Sequence, residues 1–341
     1  MNRRRSSGRL VGAILALAAP ALLPVLVPTL APAAADTIEL HARPVILSYD
    51  DLDADRVGAL QFRGGLDLRS PDARFGGLSG LDISDDGSKL VAVGDRGIWF
   101  TARLVYGPDG RLADATDGEI LPLRGLDGAP LTGKGTSDAE SLARLTDGSY
   151  VVGFERDHRL RRYAAVGARA QRLTVPAVLA TSPPNAGAEA LARLWGESLL
   201  LLSEGLDARP GIAAGWIGAG KIGADGTDGG WRAVGFRRTG IFRPVGADTR
   251  DDGAVFVLER RFSTLGGVGT RISMVQPGRI APGGIFEGRE LAQLAPPLVA
   301  DNFEGISVRR NGAGETLVYI VSDDNFNDLQ RTFLLLFALA E

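Results

Sequence analysis

The 341-residue chain contains no cysteine. Disulfide bonds, a thiolate nucleophile and any cysteine-ligated metal centre are thereby excluded. His41 and His158 are the only histidines, which rules out a zinc site built from several imidazoles. Lysine is scarce as well, with three residues, and the 35 arginines are scattered among 41 acids. With no basic stripe and only 6% aromatic residues, nothing marks a nucleic-acid binder. Long helices are disfavoured by 46 glycines and 18 prolines spread along the length, which suit many tight turns. The 45% of hydrophobic residues is enough to bury a full core, as one large all-β domain or two smaller ones.

Residues 1–35 read as an export signal and 36–341 as the folded domain. Arg3-Arg4-Arg5 and Arg9 form a basic start, an apolar stretch runs from Leu10, and Ala33-Ala34-Ala35 makes a small-residue cleavage site before Asp36. A retained membrane anchor is the competing reading. Pro20, Pro24, Pro28 and Pro32 weigh against it, because they interrupt the run a spanning helix needs. Arg3-Arg4 permits a twin-arginine route, although the residues that follow fit that signal poorly, so either export route stays open. Cleavage after Ala35 removes four arginines and no acid, taking the net charge from −3 to −7. The expectation is a periplasmic or secreted acidic protein, monomeric and without a membrane span.

What the chain does have is a unit that recurs five times. Its copies run from Ser79 to Asp95, Ala139 to Glu155, Ala188 to Glu204, Val245 to Glu259 and Phe303 to Asp323. Each places a short apolar strand before an Asp-Gly, Asn-Gly or Gly-Glu turn, then a β-rich run that ends on an acid. Two further strands are expected after each of the first four hairpins, at Trp99–Tyr106 and Glu119–Arg124, Leu160–Val166 and Gln171–Val178, Ile212–Ile217 and Trp231–Phe236, and Arg271–Val275 and Glu290–Leu294. Four antiparallel strands per unit is a propeller blade. Taking Gly80, Glu140, Glu189, Gly246 and Glu304 as equivalent gives steps of 60, 49, 57 and 58 residues. The last copy supplies three strands, ending at Thr332–Leu339, and the N-terminal strand Ala59–Leu68 is the expected fourth, closing the ring. The fold expected is one all-β propeller of five four-stranded blades, or six if Thr37–Leu47 belongs to a more degenerate blade.

That geometry gives the acids a meaning. Glu140 lies 15 residues before Glu155, and Glu189 lies 15 before Glu204. One member opens the inner strand and the other closes its neighbour, so both project to one face near the axis. Glu304 and Asp323 form a third pair, while Asp95 and Glu259 stand alone because Gly80 and Gly246 replace the first acid. Eight carboxylates in one channel raise one another's pKa or demand a cation. Oxygen-only donors favour calcium or magnesium, with Asp301, Asn302, Asp324 and Asn325 adding oxygens. The competing reading is that these acids cap loop N–H groups or pair with arginine.

Arg96, Arg156 and Arg260 each follow a ring acid and serve either reading, as salt-bridge partners or as forks for a phosphate or carboxylate. His158 fits an acid–base role, against the commoner case of a surface-loop histidine. Gly77-Leu-Ser-Gly80 departs from the G-x-S-x-G nucleophile elbow, which disfavours a serine hydrolase.

The segments Phe75-Gly-Gly-Leu-Ser-Gly-Leu-Asp82, Asp138-Ala-Glu-Ser-Leu142, Ala186-Gly-Ala-Glu-Ala-Leu191 and Asn302-Phe-Glu-Gly-Ile-Ser307 resemble the bacterial phytase-like family, from about residue 55 to the end. The resemblance implies an exported β-propeller and hydrolysis of phosphate or other esters with calcium help. True β-propeller phytases have six blades and hold phosphates with several lysines, arginines and tyrosines. This chain has three lysines and five tyrosines, and no such set aligns with it. Phytase activity itself is therefore not carried over. Two functions remain: a metal-assisted hydrolase of a small ester or phosphoester, and a noncatalytic propeller that binds a ligand or protein through the same face. When the full chain is exported from a bacterial host, mass spectrometry should find a mature protein beginning at Asp36; a retained leader would restore the anchor reading.

Overall fold

The alternation of short β-rich runs with Asp/Asn–Gly turns produces a structure that is nearly all strand. The computed structural model describes Met1 and residues 35–219, 230–263 and 267–340. Most of the segment that reads as the export signal, residues 2–34, lies outside the described residues. Near the N-terminus come β1 (Asp36–Thr37), β2 (His41–Val45), β3 (Arg56–Val57) and β4 (Leu60–Arg69). Blade 1 follows as β5 (Leu78–Ile83), β6 (Lys89–Gly94), β7 (Ile98–Tyr106) and β8 (Leu112–Pro122). Blade 2 is β9 (Ala139–Arg144), β10 (Tyr150–Phe154), β11 (Arg159–Tyr163) and β12 (Ala170–Leu173). Blade 3 is β13 (Ala188–Arg193), β14 (Ser198–Arg209), β15 (Ile212–Ala219) and β16 (Arg232–Arg237). Blade 4 comprises β17 (Arg243–Thr249), β18 (Val255–Ser263), β19 (Gly267–Val275) and, after the short β20 (Ile285–Phe286) on the edge of blade 3, β21 (Arg289–Leu294). Blade 5 is β22 (Phe303–Arg310), β23 (Thr316–Ser322) and β24 (Thr332–Leu339), completed by β4.

The ring closes as the sequence predicts. β24 pairs antiparallel with β4 from Thr332 opposite Leu68 to Leu339 opposite Leu60. Thr37–Leu47 does not make a sixth blade. Its residues split between β1, which pairs with the outer edge of β8, and β2, which pairs with the outer edge of β4. One segment thus covers two exposed sheet edges. Two expected strands are also shifted. β8 starts at Leu112 and ends at Pro122, and β12 stops at Leu173 because Pro176, with no N–H to donate, precedes a 3-10 turn over Ala177–Thr181.

Burial follows the blade count. Five clusters of buried apolar side chains lie one at each junction between neighbouring blades. They are represented by Trp99 and Phe154 (blades 1 and 2), Leu160 and Leu201 (2 and 3), Phe236 and Val257 (3 and 4), Phe256 and Phe303 (4 and 5), and Tyr319 and Phe100 (5 and 1). Alternation along each strand supplies a neighbour on both faces, so no blade could bury its apolar surface alone.

The inner strands β5, β9, β13, β17 and β22 each touch the next around the axis. The approach is close enough to dictate residue size. A Cβ on Gly246 would lie 2.4 Å from the carbonyl oxygen of Glu304, and one on Gly305 would lie 2.8 Å from that of Ser79. Phe337 is fully buried at the seam beside Phe62, with ring centroids 5.7 Å apart. Phe337→Ala should cost about 3–5 kcal/mol, read as a lowered urea midpoint; a change below about 1 kcal/mol would show that the seam carries no load.

Candidate functional site: an acid ring at one mouth of the channel

Every inner strand opens with the same irregularity. In each blade the pairing with the second strand skips one residue: Ser79, Glu140, Glu189, Val245 or Glu304. Such β-bulges leave one residue out of the ladder and re-aim its side chain. The five bulged residues are therefore the equivalent set. The sequence-based alignment of Gly80 and Gly246 with the glutamates is one residue out of register, and Ser79 and Val245 hold those places.

The second strands obey the same register. Gly94, Phe154, Ser203, Glu259 and Ser322 occupy equivalent rungs, so the residues that close the hairpins toward the axis are Asp95, Glu155, Glu204, Arg260 and Asp323. The backbone N–H groups of Asp95, Glu155 and Asp323 fix this arrangement by donating to the carbonyls of Gly77, Asp138 and Asn302 at 3.1, 2.9 and 3.0 Å. Glu259, expected in the ring, instead lies fully buried within blade 4. Its Oε2 accepts from Arg271 and, at 3.1 Å, from the Ser273 hydroxyl. The blade 4 ring position belongs to Arg260.

Seven acids and one arginine thus gather at one mouth. Arg260 donates Nη2 to Glu204 at 3.0 Å and Nη1 to both Glu304 and Asn302. Burial works to lower the Arg260 pKa, and the Glu304 and Glu204 charges outweigh it. Glu304 also accepts from the Ser79 hydroxyl at 3.0 Å and the Asn302 amide at 2.9 Å. Ser79 accordingly serves as a donor to an axial acid at the start of a strand, which agrees with the absence of a nucleophile elbow. Asp323 accepts from the Asn325 N–H at 2.6 Å and the Asn302 amide at 3.3 Å. Burial pushes its carboxyl up to about 8, with repulsion from Glu304 adding to the effect. Burial likewise holds Asp95 at about 6, against the pull of Lys134 at 3.7 Å. Glu189 is raised by burial and then by donating a hydrogen bond to Glu155. Glu140, raised by burial and by its neighbours Glu304 and Glu155, has no basic partner among the described residues.

A residue outside the ring completes the densest group. Carboxylate oxygens of Asp138, Glu140 and Glu155 lie within 4.8 Å of one another. Asp138 is almost wholly buried; its Oδ2 accepts from Arg156 Nε at 2.6 Å, while Oδ1 is buried with no donor among the described residues. Asp95 Oδ1 is orphaned in the same way. Buried carboxylate oxygens without donors, in a set with no sulfur and no imidazole, fit a hard cation such as calcium. Sequence reasoning missed Asp138. The signal was its place two residues before Glu140, matching Asn302 two before Glu304.

The arginines and the histidine differ in use. Arg156 adopts a left-handed conformation (φ 61°), a strained choice for arginine that keeps it on Asp138. Arg96 donates to the Ala73 carbonyl at 2.7 Å and stacks 3.2 Å above the Phe326 ring, so it takes no ring acid. His158 packs against Gly187 with both ring nitrogens buried and without partners among the described residues, unlike a loose surface histidine. Asp301 and Asp324 organise loops: Asp301 accepts from the Arg331 N–H at 3.1 Å, and Asp324 from the Gly77 N–H at 2.9 Å. Along the inner strands, lined by Ser79, Glu140, Glu189 and Glu304 among others, lies a space of about 10 Å³, near what one water-sized body needs.

A five-bladed propeller with a carboxylate ring at one mouth of its channel is the class these observations define. Residues 73–326 match the model of the phytase-like family, described as esterase-like activity of phytase, and the chain belongs to that family. No curated protein matches the chain by sequence. Among solved structures, the α-L-arabinofuranosidase of Podospora anserina, solved with cellotriose, is similar with a TM-score of 0.51 and 13% identity, over 82% of this chain and 97% of that one. A gluconolactonase from Xanthomonas campestris is similar with a TM-score of 0.38 and 13% identity, over 90% and 98%. At 13% identity the likeness to the arabinofuranosidase is one of fold alone.

The raised carboxyls set the pH response. A carboxyl whose folded pKa is raised contributes stability that is present below its unfolded pKa near 4 and lost as pH climbs through the folded value. Asp323 at about 8 and Asp95 at about 6 place that loss between pH 4 and 8, as do Asp82 and Asp248 near the opposite mouth at about 6 and about 7, both raised chiefly by burial. Asp72 and Asp252, held at about 2 by hydrogen bonds from arginine, act in the opposite sense only below pH 4. In EDTA the melting temperature should therefore fall from pH 5 to pH 8; a flat or rising profile would mean that the ring acids ionise without penalty.

Proposed function

We propose that this protein is an exported, metal-assisted hydrolase of phosphate or other esters, acting at the acid ring. The observation that carries the reading is the trio Asp138, Glu140 and Glu155, with the buried, donorless Oδ1 of Asp138 among its oxygens. These three residues would hold a calcium ion. When bound, such an ion supplies a Lewis acid for the ester oxygen and lowers the pKa of water. The chain's own residues support the rest. Glu189, whose carboxyl is raised by burial and by its hydrogen bond with Glu155, is the group placed to give a proton to the leaving oxygen. Arg156, tied to Asp138, places a fixed cation beside the trio for the developing negative charge. His158, lodged against Gly187 just before Glu189, adds an imidazole without a partner among the described residues near the same blades.

A second reading is favoured by one observation. Arg260 neutralises Glu204 and Glu304, as a noncatalytic ligand-binding propeller would require of the whole ring. Glu140, Glu155 and Glu189 escape that pairing, which is why the hydrolase reading leads.

Millimolar calcium at pH 7.5 should raise the melting temperature relative to EDTA, since a site filled at about 100 times its dissociation constant adds about 2.7 kcal/mol. Glu140→Gln should abolish the calcium shift, raise the melting temperature in EDTA by removing a repelled charge, and cut hydrolysis of 4-nitrophenyl phosphate about a hundredfold. No shift with calcium or magnesium, and no hydrolysis, would leave the binding propeller as the function.

A further inference from the structure

Beside the acid ring, between blades 4 and 5, lies a cavity of about 930 Å³. That volume falls in the range of small-molecule sites. Its inner wall is Glu204, Arg260 and Asn302, the same residues that form the ring's ion-pair network. Its outer wall differs in character. Ile241, Phe262 and Leu329 line it with exposures of 58%, 71% and 89%. Single exposed apolar side chains are ordinary, but three around one cavity are a surface waiting to be covered.

Two arginines stand between those walls. Register makes Arg261 the counterpart of Arg96 and Arg156, because Arg260 has taken the acid's place in blade 4. Its two counterparts are engaged, on the Phe326 ring and on Asp138. Arg261 forms no ion pair among the described residues, and its guanidinium lies 5.5 Å from the Phe242 ring centre. Arg243, whose Nη1 donates to the Glu204 carbonyl at 2.6 Å, lines the same cavity and is 3.9 Å from Asp207. Arginine forks beside an apolar wall suit a ligand with an anionic head and an apolar body.

We infer that this cavity selects the substrate, and that the substrate is a phosphate monoester of an apolar alcohol, aromatic or aliphatic. Arg261 and Arg243 pair with the phosphoryl oxygens beside the ring, while Phe262, Leu329 and Ile241 cover the alcohol group. A fully polar polyphosphate would leave that apolar wall in water. The inference rests on the hydrolase reading for its reaction, and on the cavity alone for its specificity.

The test separates the two. Binding of 1-naphthylmethylphosphonate, which is not hydrolysed, is compared with that of inorganic phosphate by calorimetric titration of the calcium-loaded protein. The phosphonate should bind at least about tenfold tighter, a difference of about 1.4 kcal/mol. The double variant Phe262→Ser, Leu329→Ser should erase that preference with an unchanged melting temperature, and Leu329→Ser alone should erase part of it. Arg261→Gln should weaken both ligands about tenfold. Equal affinities in the native protein, or a preference that survives the double variant, would overturn the cavity's role. Release of 1-naphthol from 1-naphthyl phosphate is read in parallel. Selective binding without naphthol would sink the hydrolase reading and keep the cavity, whereas turnover indifferent to all three variants would do the reverse.

Discussion

Five inner strands converge on one axis, and the rest of the molecule is arranged around how closely they do so. The approach leaves no room for a Cβ on Gly246 or Gly305. It also recurs with one bulged residue at the opening of every inner strand. A bulge turns its side chain out of the pleat; Ser79, Glu140, Glu189 and Glu304 thereby line one small axial space, while Val245 packs into the core between blades 4 and 5. Convergence, bulge and ring are one constraint seen at three scales. The blades behind it need only supply apolar faces that pack on their neighbours.

Placing seven acids at such a point is costly, since charges that share a poorly hydrated space repel over short range. The structure meets the cost in two ways. Arg260 stands where an acid would otherwise be and neutralises two neighbours. Protonation offsets more of the repulsion, through the hydrogen bond from Glu189 to Glu155 and the raised Asp323. Around Asp138, Glu140 and Glu155 neither device is complete, because the buried Oδ1 of Asp138 has no donor among the described residues. The proposal of a hydrolase grows from this imbalance. The neighbouring cavity is more mixed, with Arg243, Arg260 and Arg261 and exposed apolar side chains beside Glu204 and Asp301.

Much of this was legible in the chain. The five hairpins fall where the turn residues and β-rich runs put them, and Thr332–Leu339 pairs with the N-terminal strand as the missing partner of blade 5. At the ring the misreadings are of one residue; elsewhere they concern strand ends and edges, as where β8 starts at Leu112 rather than Glu119. Gly80 stood for Ser79, Gly246 for Val245, and Glu259 for Arg260, because a bulge inserts a residue that leaves no mark in hydrophobic alternation. A shift of one residue in a strand moves a side chain to the other face. For that reason Glu259 left the axis for Arg271 and Ser273. Thr37–Leu47 resembled the start of a blade because an edge strand and a blade strand share the same short β-rich pattern.

Sequence by itself determined the repeated four-stranded unit, the hairpins, the closure of the ring and the presence of acids at one mouth, since each follows from local turn chemistry and a repeated length; five blades rather than six was settled by the pairing of β1 and β2 with outer edges. Only the tertiary structure decided which acids meet, that Arg260 is counted among them, that Asp138 joins Glu140 and Glu155, and that a cavity lined by Arg261 and Phe262 opens beside them. The physical reason is that pairing register and contacts between blades depend on backbone hydrogen bonds and on packing across distant segments. Neither is written in the spacing of residues along a single chain.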